Sequence, residues 1–207
     1  MVSDFSSTYD ALAPRWDAWS SAIVPDVREE WARKIEQHAT PGERVVELGC
    51  GTGVPVGRFL AARYEYTGID ASPGMVAQAR AALPGANLLR ADMHTVDFPP
   101  ASLGAVIAFS SISHTPRDQH AALFAKIAAW IRLGGVFIGN LHSRDDPDSY
   151  EPTWLGAGPM RWSGFNGTTN IRLLTEAGFS VIESAAPDLL EPEGETICPL
   201  WFAAVRT

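Results

Sequence analysis

Short apolar runs alternate with amphipathic stretches from residue 44 onward. Each run has the length and the Val, Ile and Leu content of a buried strand, and the stretches between the runs are predicted as helices. The predicted strands are 44–48, 65–70, 87–91, 104–109 and 135–141. This alternation predicts an α/β fold whose parallel sheet carries helices on both faces, with ligands bound outside the carboxyl ends of the strands.

The pattern changes near both ends of the chain. Residues 1–40 are predicted as two or three helices that form an N-terminal helical cap on a single domain, residues 41–207. Residues 142–168 are polar and rich in glycine, proline and tryptophan, which predicts an irregular lid insertion on the substrate side. A helix is expected at 169–177.

Two last strands are predicted at 179–184 and 197–205. Their connection is short and lacks a helical pattern, so the two strands should pair as an antiparallel hairpin.

Composition excludes several classes of protein. The 207 residues are 46% hydrophobic and 19% charged, which is typical of one globular domain. No apolar run reaches the length of a membrane span, no secretory signal is visible, and two cysteines are too few for a disulfide framework. We therefore expect a cytoplasmic monomer or homodimer without membrane contact. A net charge of −8 with scattered basic residues disfavours nucleic acid and favours a small-molecule partner.

The first predicted strand runs into an acid and three alternate glycines. Glu47 is followed by Gly49, Gly51 and Gly53, and glycine permits positive φ and close approach of a ligand to the main chain. A dinucleotide fingerprint would require glycine at position 54, where this chain has Val54. Glu47 would also repel a pyrophosphate and suits a cationic ligand. The turn therefore indicates a nucleoside cofactor with positive charge.

Two further acids follow the next two predicted strands. Asp70 ends the second strand, where an α/β nucleoside site places a carboxylate on the ribose, and Asp92 ends the third. Each acid alone has a structural alternative, because Asp70 could cap the helix that begins at Ser72 and Asp92 could cap a loop. Together with the glycine turn, the acids indicate one linear ligand site.

These motifs resemble those of the class I S-adenosylmethionine-dependent methyltransferases. The resemblance covers roughly residues 44–207 and implies a Rossmann-like, seven-stranded, mostly parallel sheet with an antiparallel C-terminal strand. It implies S-adenosylmethionine as cofactor, with Asp70 on the ribose and Asp92 on the adenine amino group. The expected cofactor-binding residues are Glu47, Gly49, Cys50, Gly51, Gly53, Asp70, Ala71, Met75, Asp92, Met93 and Ser110.

His114 is the candidate catalytic residue. It lies in the loop after the fourth predicted strand, which in related enzymes lines the donor's methionine portion. Its ordinary pKa is near the working pH, which suits a general base. The alternative is a histidine that shapes the pocket through a hydrogen bond to a backbone carbonyl. No metal is expected, because the fourth strand ends in Phe109 and Ser110 rather than an acid.

Aromatic side chains supply the expected acceptor pocket. The candidate substrate-binding residues are Tyr9, Trp16, Trp19, His114, His142, Trp154 and Trp162. They could enclose a flat or apolar molecule, although each aromatic could instead pack the lid against the domain. The predicted function is methyl transfer to an oxygen or nitrogen of a small, aromatic or apolar molecule. A tRNA or rRNA methyltransferase and a non-catalytic S-adenosylmethionine sensor or partner subunit stay as alternatives.

Overall fold

A computed structural model of the protein describes residues 5–207. The strands are β1 Arg44–Leu48, β2 Glu65–Asp70, β3 Asn87–Arg90, β4 Leu103–Ala108, β5 Ile131–Leu141, β6 Asp146–Trp154, β7 Gly158–Gly164, β8 Phe179–Ala185, β9 Leu189–Leu190, β10 Thr196–Ile197 and β11 Leu200–Arg206. The α-helices are α1 Phe5–Leu12, α2 Trp16–Ser20, α3 Arg28–Arg33, α4 Val56–Ala61, α5 Pro73–Ala82, α6 His120–Trp130 and α7 Gly167–Glu176.

Seven strands form one twisted sheet in the order β3-β2-β1-β4-β5-β11-β8. Strands β1 to β5 pair in parallel, whereas β11 lies antiparallel between β5 and β8. The predicted fold class is confirmed, including the antiparallel C-terminal strand. The reversal of strand order between β1 and β4 opens a crevice at the carboxyl ends, where doubly wound sheets bind ligands.

Both faces of the sheet are covered by hydrophobic cores. On one face, α3, α4 and α5 pack over β1, β2 and β4, with Trp31, Leu60 and Ile138 buried. On the other face, α6 and α7 cover the sheet with Phe124 and Leu174, which are fully buried. Strand β4 is buried along its whole length, as expected for a central parallel strand.

The prediction of an irregular segment at 142–168 is wrong. Strands β6 and β7 form an antiparallel hairpin in this segment, joined by a tight turn at Leu155 and Gly156. The hairpin escaped prediction because β6 is exposed along nearly its whole length and therefore lacks alternation of apolar and polar residues. Two register irregularities in the hairpin further interrupt the two-residue alternation of side chains that marks a strand.

The N-terminal helices lie against the carboxyl edge of the sheet. The Asp10 carboxylate accepts hydrogen bonds from Ser72 Oγ at 2.5 Å and from the Gly74 amide at 2.8 Å, at the first turn of α5. Thr8 Oγ1 donates to the carbonyl of Pro159 on β7 at 2.8 Å. These bonds hold α1 between the first turn of α5 and the β6–β7 hairpin. The predicted cap began at residue 1, and its first four residues lie outside the described residues.

Candidate functional site

The turn after β1 is built from glycines with positive φ. Gly49, Gly51 and Gly53 have φ of 74°, 53° and 80°, a backbone region that side chains disfavour. The amides of Gly49 and Cys50 donate to the carbonyl of Ile69 at 2.8 and 3.0 Å, which ties the turn to β2. A Cβ at Gly49 would lie 2.3 Å from Ser111 Cβ, so this position accepts only glycine.

Asp70 organises the turn and faces the crevice. Its two carboxylate oxygens accept hydrogen bonds from the backbone amides of Gly51 and Ser72, each at 2.9 Å. The bond to Ser72 is the capping role that the sequence left open as an alternative. A carboxylate has about four acceptor positions, so these two bonds leave capacity for ligand hydroxyl groups. Burial raises the pKa of Asp70 above its ordinary value.

Glu47 is buried below the glycine turn. Only 5% of its surface is exposed, and its Oε2 accepts a hydrogen bond from the Tyr66 hydroxyl at 2.6 Å. Burial raises the pKa of Glu47 to about 8, against the opposing effect of the Tyr66 hydrogen bond. The site therefore holds a carboxyl group that a cation would ionise and bind.

Asp92 follows β3 on the same edge. Its Oδ1 accepts a hydrogen bond from the His94 amide at 2.9 Å, and its Oδ2 has no hydrogen-bond partner in the described part of the chain. Met93 and Ala71 line the same crevice, and Met75, which is 1% exposed, lies in its wall. The three predicted acids thus meet along one cleft.

Asn140 is a site residue that sequence reasoning passed over. It is 5% exposed near the end of β5, and its Oδ1 accepts a hydrogen bond from the Ser110 amide at 2.5 Å. Its Nδ2 donates to Ser110 Oγ at 3.2 Å. Ser110 has a φ of 48°, and Asn140 holds it in this unfavourable conformation at the start of the loop after β4. In the sequence, the polar Asn140 near the end of an apolar strand is the feature that could have indicated this site residue.

His114 has a partner at each ring nitrogen. Its Nδ1 lies 3.1 Å from the Arg161 carbonyl on β7, and its Nε2 lies 2.7 Å from the Tyr9 hydroxyl on α1. Burial lowers the pKa of His114 to about 4, so the neutral imidazole predominates at neutral pH. The hydrogen bond to a backbone carbonyl is the contact expected for the alternative in which His114 shapes the pocket.

An aromatic wall surrounds His114 at the other end of the cleft. Tyr9 packs edge-on against Trp16, Trp154 and His114, with ring centroids 5.3, 5.8 and 5.4 Å apart. Six of the seven predicted substrate-binding residues are joined in one network of ring contacts: Tyr9, Trp16, Trp19, His114, Trp154 and Trp162. The seventh, His142, lies outside this network and beside Asp146, with 3.9 Å between Nδ1 and Oδ2.

One continuous cleft of about 1850 Å³ joins the two ends. Single-ligand pockets measure roughly 300–1000 Å³, so the cleft has room for two ligands side by side. Glu191 on its rim has a pKa raised to about 7, because of burial and the neighbouring Glu195 and Glu193. Within residues 5–207, no three His, Cys, Asp or Glu side chains form a group that could hold a metal ion.

None of the helices in residues 5–207 combines the length and the hydropathy that a bilayer span requires.

Residues 45–135 match a family model described as a methyltransferase domain. The chain is 26% identical over 182 residues to a carboxy-S-adenosyl-L-methionine synthase of Chromohalobacter salexigens, covering 83% of this chain and 66% of that protein. It is 34% identical over 125 residues to a trans-aconitate 2-methyltransferase of Escherichia coli, covering 58% of this chain and 46% of that protein. The chain thus spans about half to two thirds of the length of these curated relatives.

The fold also matches solved structures. The 1,6-didemethyltoxoflavin-N1-methyltransferase of Burkholderia thailandensis, crystallised with 1,6-didemethyltoxoflavin and S-adenosylhomocysteine, is 19% identical with a TM-score of 0.71. The match covers 99% of this chain and 86% of that one. The family model thus matches residues 45–135, and the likeness to this solved structure extends over nearly the whole fold.

Proposed function

We propose that this chain transfers a methyl group from S-adenosylmethionine to an oxygen or nitrogen of a small, aromatic or apolar molecule. The observation that carries this proposal is the single cleft, with three acids and a glycine turn at one end and the aromatic wall at the other. Methyl transfer requires a donor and an acceptor in line within one enclosed space.

The residues at the first end fit the cofactor. Trp16 Nε1 lies 3.5 Å from the position that a Cβ at Gly51 would take, so the indole lies close beside the glycine turn. Glu47 suits an ammonium group, Asp70 the ribose hydroxyls and Asp92, through its unpartnered Oδ2, an amino group. When bound, the sulfonium supplies an activated methyl group and a neutral leaving group.

The chain's own residues would orient the acceptor and exclude water. Tyr9, Trp154 and Trp162 offer ring faces and edges to a flat molecule, and they line the cleft together with Ser110 and His114. Proximity and orientation account for about 7–11 kcal/mol of barrier lowering in well-aligned reactions, so a charged catalytic apparatus is not required. His114, neutral at working pH, is proposed to receive the proton of an acceptor that carries one.

The relatives support a small-molecule acceptor. One relative is named for trans-aconitate, and a structural neighbour was crystallised with 1,6-didemethyltoxoflavin. Both are small molecules, and the net charge of −8 disfavours nucleic acid as the acceptor of this chain. The aromatic wall favours a planar acceptor.

The test is release of S-adenosylhomocysteine from S-adenosylmethionine over a panel of phenols, aromatic carboxylic acids and aromatic amines. We expect turnover with at least one planar member, abolished by Asp92→Ala and unaffected by Asp97→Ala, whose carboxylate accepts from Trp130 Nε1 outside the cleft. Donor binding without turnover on any acceptor would instead favour the sensor.

A further inference from the structure

The hydrogen bonds around His114 determine its tautomer. The Arg161 carbonyl can only accept, so the hydrogen of the neutral ring must be on Nδ1, which donates across 3.1 Å. Nε2 is then unprotonated and accepts, and the Tyr9 hydroxyl at 2.7 Å donates to it. Neither nitrogen of His114 is left to contact an acceptor directly.

Tyr9 occupies the Nε2 side of His114 with its hydroxyl. Its side chain lines the cleft, and its only hydrogen bond with a described residue is the one to His114. A phenolic oxygen that donates one hydrogen bond still has lone pairs with which to accept another. The rings of Trp16 and Trp154 pack edge-on against Tyr9 and fix its orientation.

We propose that Tyr9 is the catalytic residue that touches the acceptor, and that it passes the acceptor's proton to His114. This proposal rests on the methyl transfer proposed above and adds a residue to it. The β6–β7 hairpin then has a chemical role, because the Arg161 carbonyl on β7 keeps the receiving nitrogen unprotonated.

The proton relay balances in atoms and charge. The bond between the acceptor atom and its hydrogen breaks as a new O–H bond forms on Tyr9, while the original O–H bond of Tyr9 breaks and an N–H bond forms at Nε2 of His114. The electron pair left on the acceptor atom forms the bond to the methyl carbon, and the pair of the broken carbon–sulfur bond stays on sulfur. His114 ends as the imidazolium and later returns its proton to water.

A relay explains the protonation states better than a phenolate base does. Burial, with Asp70 nearby, raises the pKa of Tyr9 above its ordinary value, so Tyr9 stays protonated at neutral pH. A protonated phenol accepts a proton only while giving up its own. His114 can take the proton that Tyr9 gives up. Its pKa, lowered to about 4 by burial, keeps the ring neutral, so Nε2 carries no proton of its own.

The direct test is the tautomer of His114 by nitrogen NMR on ¹⁵N-histidine-labelled protein saturated with S-adenosylhomocysteine near neutral pH. The His114 signals are assigned by their loss in His114→Gln. We expect a protonated Nδ1 and an unprotonated Nε2, whose resonance moves toward that of a free nitrogen in Tyr9→Phe. Tyr64→Phe, a change in the core beside α4, serves as control and leaves the signal in place. A protonated Nε2 would overturn the relay.

Turnover gives a second readout with any acceptor that the wild type methylates. Tyr9→Phe should lower kcat by about 10²-fold or more, as removal of general acid–base groups does, with unchanged affinity for S-adenosylhomocysteine. Wild-type kcat in Tyr9→Phe would overturn the proposal, and so would a matching loss of S-adenosylhomocysteine affinity, which would assign the hydroxyl to the donor site. Failure of the wild type to bind S-adenosylhomocysteine would overturn the proposed function itself and not only the relay.

Discussion

The two ends of the cleft are constructed in different ways. The donor end comes from residues 47–93, where three consecutive strand ends carry acids and most polar contacts are to backbone amides. The acceptor end brings together α1 and α2, the loop after β4 and the β6–β7 hairpin, which meet through side-chain rings. A donor site set by strand ends can therefore stay constant while the aromatic segments change the acceptor.

The two ends also differ in charge. The donor end contains buried carboxyl groups, whereas the acceptor end places aromatic rings around His114, whose imidazole is neutral at working pH. Substitutions should therefore separate cleanly into those that affect the donor and those that affect the acceptor.

Asp70→Ala should have the largest effect on donor binding. It removes the partner of the Gly51 amide and the expected ribose contacts. A hydrogen bond to a charged group contributes about 1.5–3 kcal/mol, so the loss of two such bonds to the ribose should lower the affinity by about 10²–10⁴-fold. Calorimetry with S-adenosylhomocysteine measures it, and Asp97→Ala, a loop acid outside the cleft, should bind like the wild type. Equal affinities in both variants would refute the assignment of Asp70.

Trp154→Ala should separate the acceptor end from the donor end. Trp154 contacts Tyr9, Trp19 and Trp162, and its loss opens the wall. Aromatic contacts contribute about 0.5–1.5 kcal/mol each beyond burial, so we expect KM for the acceptor to rise about tenfold. Affinity for S-adenosylhomocysteine should be unchanged. Tyr150→Ala, an exposed change on the same strand, is the control, and a donor-binding defect in Trp154→Ala would remove the distinction between the ends.

Glu47→Gln should stabilise the protein at alkaline pH while weakening donor binding. The pKa of Glu47 is about 8 in the folded protein and 4.5 ordinarily, so the folded state holds a proton that the unfolded state releases. Stability from this group is therefore lost as pH rises from 4.5 to 8. Glutamine stays neutral and can still accept from Tyr66.

Thermal unfolding at two pH values measures this effect. Above pH 8, a gain of about 1 kcal/mol would raise the midpoint of Glu47→Gln by about 2–4 °C, and the gain should vanish in acid. The exposed Glu65→Gln should show no such dependence. A lower midpoint for Glu47→Gln at alkaline pH would contradict the buried, proton-binding state.

The smallest effect is expected on the acid limb of the pH–rate profile. His114 is faced by Tyr9 from α1, by His142 after β5 and by the Arg161 carbonyl on β7, and its pKa is about 4. With the donor saturating, so that Glu47 is already ionised, kcat should therefore be constant from about pH 8 to about pH 5, unlike that of an ordinary histidine base. A midpoint near 6.5, checked by NMR titration of the His114 ring, would show that His114 is not buried in this way.

The residues of the donor end could be predicted from the sequence because each of its motifs lies within one short segment of the chain. Each acid lies within two residues of the end of its strand, and glycines 49, 51 and 53 adopt the positive φ that glycine permits. The antiparallel pairing of β8 with β11, predicted from the short final connection, is confirmed. The antiparallel C-terminal strand that the resemblance implied is also confirmed.

The sequence named most residues of the acceptor end but not their contacts, because these contacts join positions that are distant in the chain. Tyr9 and His114 are 105 positions apart, and no periodicity links them. Strand β6 is exposed and the register of the β6–β7 hairpin is irregular, so the sequence gives no alternating pattern for the hairpin. One carbonyl of this hairpin nevertheless accepts from Nδ1 of His114. Such contacts follow from tertiary packing alone.

Calorimetric titration of the wild-type protein with S-adenosylhomocysteine tests the central claim most directly. The account predicts saturable binding of one molecule per chain, competed by S-adenosylmethionine and lost in Asp70→Ala. Absence of binding at millimolar ligand, or binding that Asp70→Ala leaves intact, would contradict the claim that the strand-end acids and the glycine turn form a methyl-donor site.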